Sequence, residues 1–169
     1  DFDVISEGMP GRTTVWTVPI EGHRGRKDYL IPCLHSHKPI DLAIILLGTN
    51  DLKNRLGATA FGIAGRIGHL AKMIQQSETG PGGRSPQVLI LIPPLGKLSN
   101  FTEMFAGGDE KSKDLSQQFK RVAELLACPV LDKSGHIISS DVDGGRFNAS
   151  SHHILGQVVA QQVKAISAL

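Results

Sequence analysis

Two stretches of the chain are almost wholly apolar and stop at glycine or proline: DLAIILLG (41–48) and QVLILIPP (87–94). Strands covered by helices on both faces read this way, because neither face alternates with solvent. FDVIS (2–6) and CPVLD (128–132) carry the same signal more weakly. Between these stretches the period changes. Leu115, Phe119, Val122 and Leu126 fall on one helical stripe, opened by the acidic GGDE. Ile154, Leu155, Val158, Val159, Val163 and Ile166 form another, with Ser150 or Ser151 as its N-cap. A third helix is predicted over about 58–76, with Phe61, Ala64, Ile67, Leu70 and Ile74 facing inward. Its Gly62, Gly65 and Gly68 recur every three residues, which suits close helix packing and does not fit a dinucleotide fingerprint. Strands alternating with helices predict one α/β domain over residues 1–169, an open, flavodoxin-like parallel sheet with helices on both faces. SETGPGGRSP (77–86) reads as a surface loop without a phosphate-loop lysine.

Composition narrows the function classes. A chain of 169 residues with 40% hydrophobic and 20% charged residues is long enough to bury a core and ordinary for a globular protein. The formal net charge is +2, and the one basic cluster, HRGRKDY (23–29), reads as a solvated loop. With six Phe, one Trp and one Tyr there is no aromatic stacking platform, so nucleic acid is not expected as a partner. No apolar stretch reaches the length of a membrane span, and no signal peptide is visible. Cys33 and Cys128 form no CxxC pair and read as two buried thiols in a reducing, cytoplasmic setting. The sequons at Asn100 and Asn148 matter only if the chain is secreted.

In open α/β sheets, ligands bind beyond the carboxyl ends of the strands. Three loops there stand out: SEGMPGRTT (6–14), GTND (48–51) and DVDGGRF (141–147). Singly, each has a structural reading: Gly11 serves a tight turn, and Gly48 to Asp51 form a turn ending in a helix cap. Together, in this order, they resemble the SGNH, or GDSL, family of serine hydrolases, closest to its small bacterial arylesterase-like and acyl-esterase branch. EGMPGRTT resembles the family's second block, ILLGTND its third and DVDGGRF its last. IPPLGKLSNFTEMFAGGDEKSKDLSQQF also resembles that branch, so the likeness covers nearly the whole chain. The resemblance implies that the backbone N–H of Gly11 and the side-chain amide of Asn50 form an oxyanion hole. It implies that Asp143 orients a catalytic histidine. Such donors stabilise the tetrahedral intermediate of acyl transfer, and losing one costs roughly 10²–10³ in rate. No cofactor or metal belongs to that chemistry.

The departures from the family pattern are as informative. The family's first block, a strand ending in Gly-Asp-Ser, carries the nucleophile, and these residues contain no Gly-Asp-Ser. The family's base lies three residues after the acid, and Arg146 holds that position. Arginine stays protonated and has no acceptor nitrogen, so it cannot take a proton from a hydroxyl. No substitute is convincing. His152 and His153 fall nine and ten residues after Asp143, at the start of the last helix, and His136 lies in a short loop before the acid. His35 and His37 in CLHSHKP sit at a helix end; as a metal pair they need further ligands that the spacing does not supply. Ser6, Ser134 and Ser140 have no elbow motif.

A missing first strand also leaves two apolar strand edges to cover, since in the order 2-1-3-4-5 it lies between the strands at 2–6 and 41–47. An upstream segment of roughly fifty residues absent from this chain is the expectation; another chain in that slot, as in a homo-oligomer, is the alternative. The long 15–40 and 95–112 connections are expected to border the pocket, with Trp16, Phe101, Met104 and Phe105 as apolar walls. That these four only anchor the loops is the competing reading. Two function classes follow: an esterase for small acyl or aryl esters working through a serine acyl-enzyme, or a non-catalytic relative that keeps the pocket as a binding surface.

Overall fold

The computed structural model describes residues 2–16, 25, 27–93, 103–132 and 147–167. In chain order these form α1 (Lys27–His37), β1 (Leu42–Ile45), α2 (Ala60–Gln75), β2 (Gln87–Ile92), α3 (Gly108–Lys113), α4 (Leu115–Leu125), β3 (Val130–Asp132) and α5 (Ala149–Ser167). Short 3₁₀ turns cover Thr49–Leu52, Asn54–Leu56 and Pro81–Gly83. The three strands pair in parallel in the order β1-β2-β3, with Leu42 opposite Gln87 and Ile90 opposite Val130.

The apolar run of β2 is explained by what covers it. Val88, Ile90 and Ile92 pack with Leu30, Ile63, Ile67, Leu70 and Phe119 of α1, α2 and α4. Leu89 and Leu91 point the other way, onto Leu131 of β3 and Ile166 of α5. Both faces are dry, so no polar residue alternates into the strand. The expected parallel sheet with helices on both faces is what the chain forms.

The helices follow their predicted stripes except that Ile154 of α5 is exposed, and with three further corrections. Phe61 is 69% exposed. The buried side of α2 runs through Ile63, Ala64, Ile67, Leu70, Ala71 and Ile74, and Phe61, two residues before Ile63, lies about 200° around the axis. The acidic GGDE opens not the long helix but α3, a separate turn and a half, and α4 begins after the break at Asp114. The N-cap of α5 is Asn148 rather than a serine: its Oδ1 accepts the N–H of Ser151 at 2.8 Å. Of the three regularly spaced glycines, Gly68 alone makes a close approach. A Cβ there would stand 2.7 Å from Val122 Cγ1 of α4, whereas nothing lies within 4 Å at Gly65.

FDVIS is not a strand. Residues 2–9 have no regular structure, and Phe2, Val4 and Ile5 are 53%, 86% and 54% exposed. A strand forms only where a neighbour takes up its N–H and C=O groups. Among the described residues, none pairs with this segment as a neighbouring strand. Ile44 of β1 is likewise 43% exposed, on an edge strand.

Candidate functional site

The sequence Met9-Pro10-Gly11-Arg12 has proline at the second position and glycine at the third, the signature of a type II turn. The structure forms it: Arg12 N–H donates to Met9 O at 3.2 Å, and Gly11 has φ 76°. The turn bond is made by Arg12, so it does not consume the N–H of Gly11. The structural reading of Gly11 and its functional reading are therefore compatible.

β1 delivers the second element. After Ile45 the chain reaches Gly48, whose φ of 120° turns it back while its Cα hydrogens face Ile63 and Phe119. A Cβ there would sit 3.2 Å from each. Asp51 N–H closes the 3₁₀ turn onto Gly48 O at 3.1 Å, which presents Asn50 and Asp51 side by side. The two turns then lock together. Asn50 Nδ2 donates to Arg12 O at 3.1 Å. An asparagine amide has two N–H groups, and this bond uses one of them.

Behind this junction lies a polar clamp that the motif reading passed over. Asp51 is fully buried; its Oδ2 accepts Thr14 N–H at 3.0 Å and its Oδ1 accepts Thr14 Oγ1–H at 2.5 Å. Arg66 of α2 comes within 3.6 Å of Oδ1, and its guanidinium also stacks 5.0 Å from the centre of the Trp16 ring. Burial pushes the Asp51 carboxyl above its ordinary value, and the Thr14 bonds and Arg66 only partly oppose that. The signal was present in the sequence: GTND and GRTT each carry a second polar residue beyond the ones with an assumed role.

The aromatic and sulfur side chains divide. Met104 is 41% exposed, and its carbonyl accepts Asn54 N–H at 2.7 Å, which fastens that segment to the Asn50 loop. Phe105 packs against the main core, the anchoring role. Trp16 is 44% exposed over Arg66. Asp143, Arg146, Phe101, His136, Ser134 and Ser140 lie outside the described residues, so the expected convergence of Asp143 with Gly11 and Asn50 is described for the latter two only.

A cavity of about 300 Å³ opens beside the turn rather than over it, lined by Glu7, Met9, Arg12, Asp28 and Tyr29 among others. Neither Gly11 nor Asn50 lines it. Here sequence reasoning missed a second grouping. Tyr29 Oη donates to Glu7 Oε2 at 3.0 Å, and this bond is the main reason its phenol titrates above the ordinary value. His37 Nε2 lies 3.1 Å from Glu7 Oε1. Cys33 stands one helical turn before His37 and completes the group. The Cys-x-x-x-His spacing places both on one face of α1, whereas Glu7 is distant in sequence and only the fold brings it in. Among the described residues, no helix is long and apolar enough to cross a membrane.

Comparison with known proteins agrees with this architecture. Residues 1–153 match the family model of the GDSL-like lipases and acylhydrolases. The native aryl esterase of M. smegmatis is 34% identical, with a TM-score of 0.90 over 97% of this chain and 79% of that one. Its inhibitor-bound form gives the same figures. A carbohydrate acetylesterase from Sinorhizobium meliloti is 35% identical, with a TM-score of 0.89 over 96% of this chain and 78% of that one. No curated protein sequence matches.

Proposed function

The chain belongs to the GDSL-like lipase/acylhydrolase family, and from that premise we propose that it is an ester hydrolase for small acyl or aryl esters, with Gly11 and Asn50 as its oxyanion donors. One observation carries this reading. The bond from Asn50 to the carbonyl of Arg12 holds the two donor-bearing turns together before any ligand arrives. Preorganised donors cost no rearrangement when the charge develops, which is what acyl transfer requires. The neighbours in structure include an aryl esterase and a carbohydrate acetylesterase, which supports a small acyl group as substrate.

In the mechanism this implies, a serine hydroxyl attacks the ester carbonyl while a base takes its proton. The carbonyl oxygen becomes an oxyanion that accepts from Gly11 N–H and the second Asn50 N–H. Collapse expels the alcohol, and water then cleaves the acyl-enzyme by the same path. Asp143 is assigned the orienting role. The serine belongs to a Gly-Asp-Ser block that does not occur among these 169 residues. Trp16 and Met104, both exposed near the turns, are assigned to the acyl or alcohol side, and Phe105 to the core. A cytoplasmic setting is the assignment that suits two cysteines left as thiols.

Arg146 supports a second reading, a binding protein descended from the esterases. A fixed cation three residues after Asp143 does not cycle a proton. The test assays the purified chain on a short activated ester beside Arg146→His and a form extended upstream by a Gly-Asp-Ser strand and helix. Activity gained by the extension alone supports the esterase. A need for both the extension and the histidine supports the binding protein. Ordinary esterase rates and phosphonate labelling of the unextended chain refute the binding protein and the need for an upstream nucleophile, since loss of triad members leaves only about 10³–10⁴ over water in serine proteases.

A further inference from the structure

We propose that Glu7, Cys33 and His37 form a binding site for one divalent zinc-class cation, at the junction of α1 and the segment that leads into the Gly11 turn. One carboxylate oxygen, the thiol sulfur and one imidazole nitrogen all lie within 4.8 Å of one another. Tetrahedral zinc, with bonds of about 2.0–2.3 Å, sets its ligands roughly 3.4–3.7 Å apart. The Glu7–His37 pair already stands at 3.1 Å. Closing the set takes movements of about an ångström, on that zinc geometry, within the range of side-chain adjustment.

The donor chemistry is specific. Thiolate, imidazole and carboxylate together select zinc over magnesium or calcium, which take oxygen ligands. Cys33 and His37 project from the last turns of α1, where the helix dipole favours positive charge. Cys33 is buried, and His37 and Glu7 are partly exposed, with Glu7 also lining the adjoining cavity of about 300 Å³ through which an ion can enter. Tyr29 holds the second oxygen of Glu7, the kind of outer contact that fixes a ligating carboxylate.

Charge sets the condition for binding. Arg12, whose guanidinium lies over the Tyr29 ring, and Asp28 line the same cavity. With Arg12 present, a dication needs two anionic ligands, Glu7 as carboxylate and Cys33 as thiolate. Cys33 therefore gives up its Sγ–H proton to solvent as the sulfur pair forms the bond to the metal. His37 binds as neutral imidazole through Nε2, with its hydrogen on Nδ1. One thiolate, one carboxylate and the dication sum to zero.

The test titrates reduced, chelator-treated chain with Co²⁺, then with Zn²⁺ against a chromophoric chelator. One equivalent of cobalt is expected, with a near-ultraviolet thiolate charge-transfer band and intense visible bands of four-coordinate cobalt, both erased by zinc. Cys33→Ser removes the charge-transfer band, and Cys128→Ser leaves it. His37→Ala and Glu7→Gln weaken binding by at least about 10–100-fold, the range seen even for outer-contact losses, and His35→Ala does not. Should Cys33→Ser fail to fold, alkylation of wild-type Cys33 replaces it: zinc must slow that reaction. A cobalt spectrum without the charge-transfer band, binding that survives Cys33→Ser, or alkylation indifferent to zinc overturns the proposal. The three residues are then only a hydrogen-bonded staple between residues 2–9 and α1.

Discussion

Asp51→Asn is the substitution that most directly tests how the two turns are held. Asparagine has the shape of the aspartate it replaces but offers one acceptor oxygen and one NH₂ where the carboxylate offers two acceptors. Thr14 presents two donors, its N–H at 3.0 Å and its hydroxyl at 2.5 Å. The hydroxyl can rotate and accept instead; the backbone N–H cannot. With the amide oxygen on Thr14 N–H, the NH₂ meets Thr14 Oγ1, whose hydrogen must turn away, and the charge-assisted bonds of the buried carboxylate are lost, at a cost of about 1–3 kcal/mol. Arg66 also loses its anion, but its side chain is 21% exposed and stacked on Trp16, so water screens it and adds little. Against these stands relief, because a neutral amide no longer carries the burial penalty that raises the Asp51 pKa. The net expectation is destabilisation of about 1–3 kcal/mol, a fall in Tm of about 2–12 °C for a domain of this size. Urea unfolding of both proteins over a pH series reads it. The sign follows from linkage. The folded pKa is raised, so Asp51 contributes stability fully present below its ordinary value of 3.8 and lost as pH rises through the folded value. Wild type minus variant therefore falls across that window and isolates Asp51 from the other carboxylates. An Asp51→Asn protein at least as stable as wild type at neutral pH refutes the reasoning, because charge burial would then outweigh the Thr14 contacts.

Further substitutions test the packing read from α2 and the cap of α5. Gly68→Ala places a Cβ 2.7 Å from Val122 Cγ1; overpacking of about 1–3 kcal/mol exceeds the helix-propensity gain of up to about 1 kcal/mol, so its urea midpoint should fall. Gly65→Ala, with open space around it, should instead stabilise by about 0.5–1 kcal/mol in the same assay. Asn148→Ala removes the acceptor for Ser151 N–H and should cost about 0.5–2 kcal/mol, read by thermal melting, whereas Ser150→Ala should cost less.

The parallel strands were legible because burial on both faces leaves a continuous apolar run, and the stripes of α2 and α4 because one face of each is dry. What was not legible depended on partners. FDVIS has the composition of a strand, but composition cannot report whether a neighbouring ladder exists. Phe61 is apolar and sits within α2, yet a hydrophobic residue on a helix is placed by its angle, not by its type. Asn148 outcompeted two serines as cap because the cap is decided by which residue first leaves helical backbone, a matter of one position that pattern reading does not fix.

The proposed site residues divide along the same line. Gly11 and Asn50 were singled out by the family resemblance, and the structure shows what each position does locally: Gly11 turns the chain at positive φ, and Asn50 lies in the turn that follows β1. Their juxtaposition rests on Thr14, Asp51 and Arg66, which are 37 and 15 positions apart in the chain and meet only when α2 packs beside β1. The clamp is built from charge in a dry place, where an unpaired group is costly and a satisfied one is rigid. Rigidity is what an oxyanion site requires of its donors, since a donor that must swing into place loses the advantage of preorganisation. The buried aspartate one residue beyond Asn50 is thus the physical means by which a short apolar strand and a proline–glycine turn, each common in isolation, become one site.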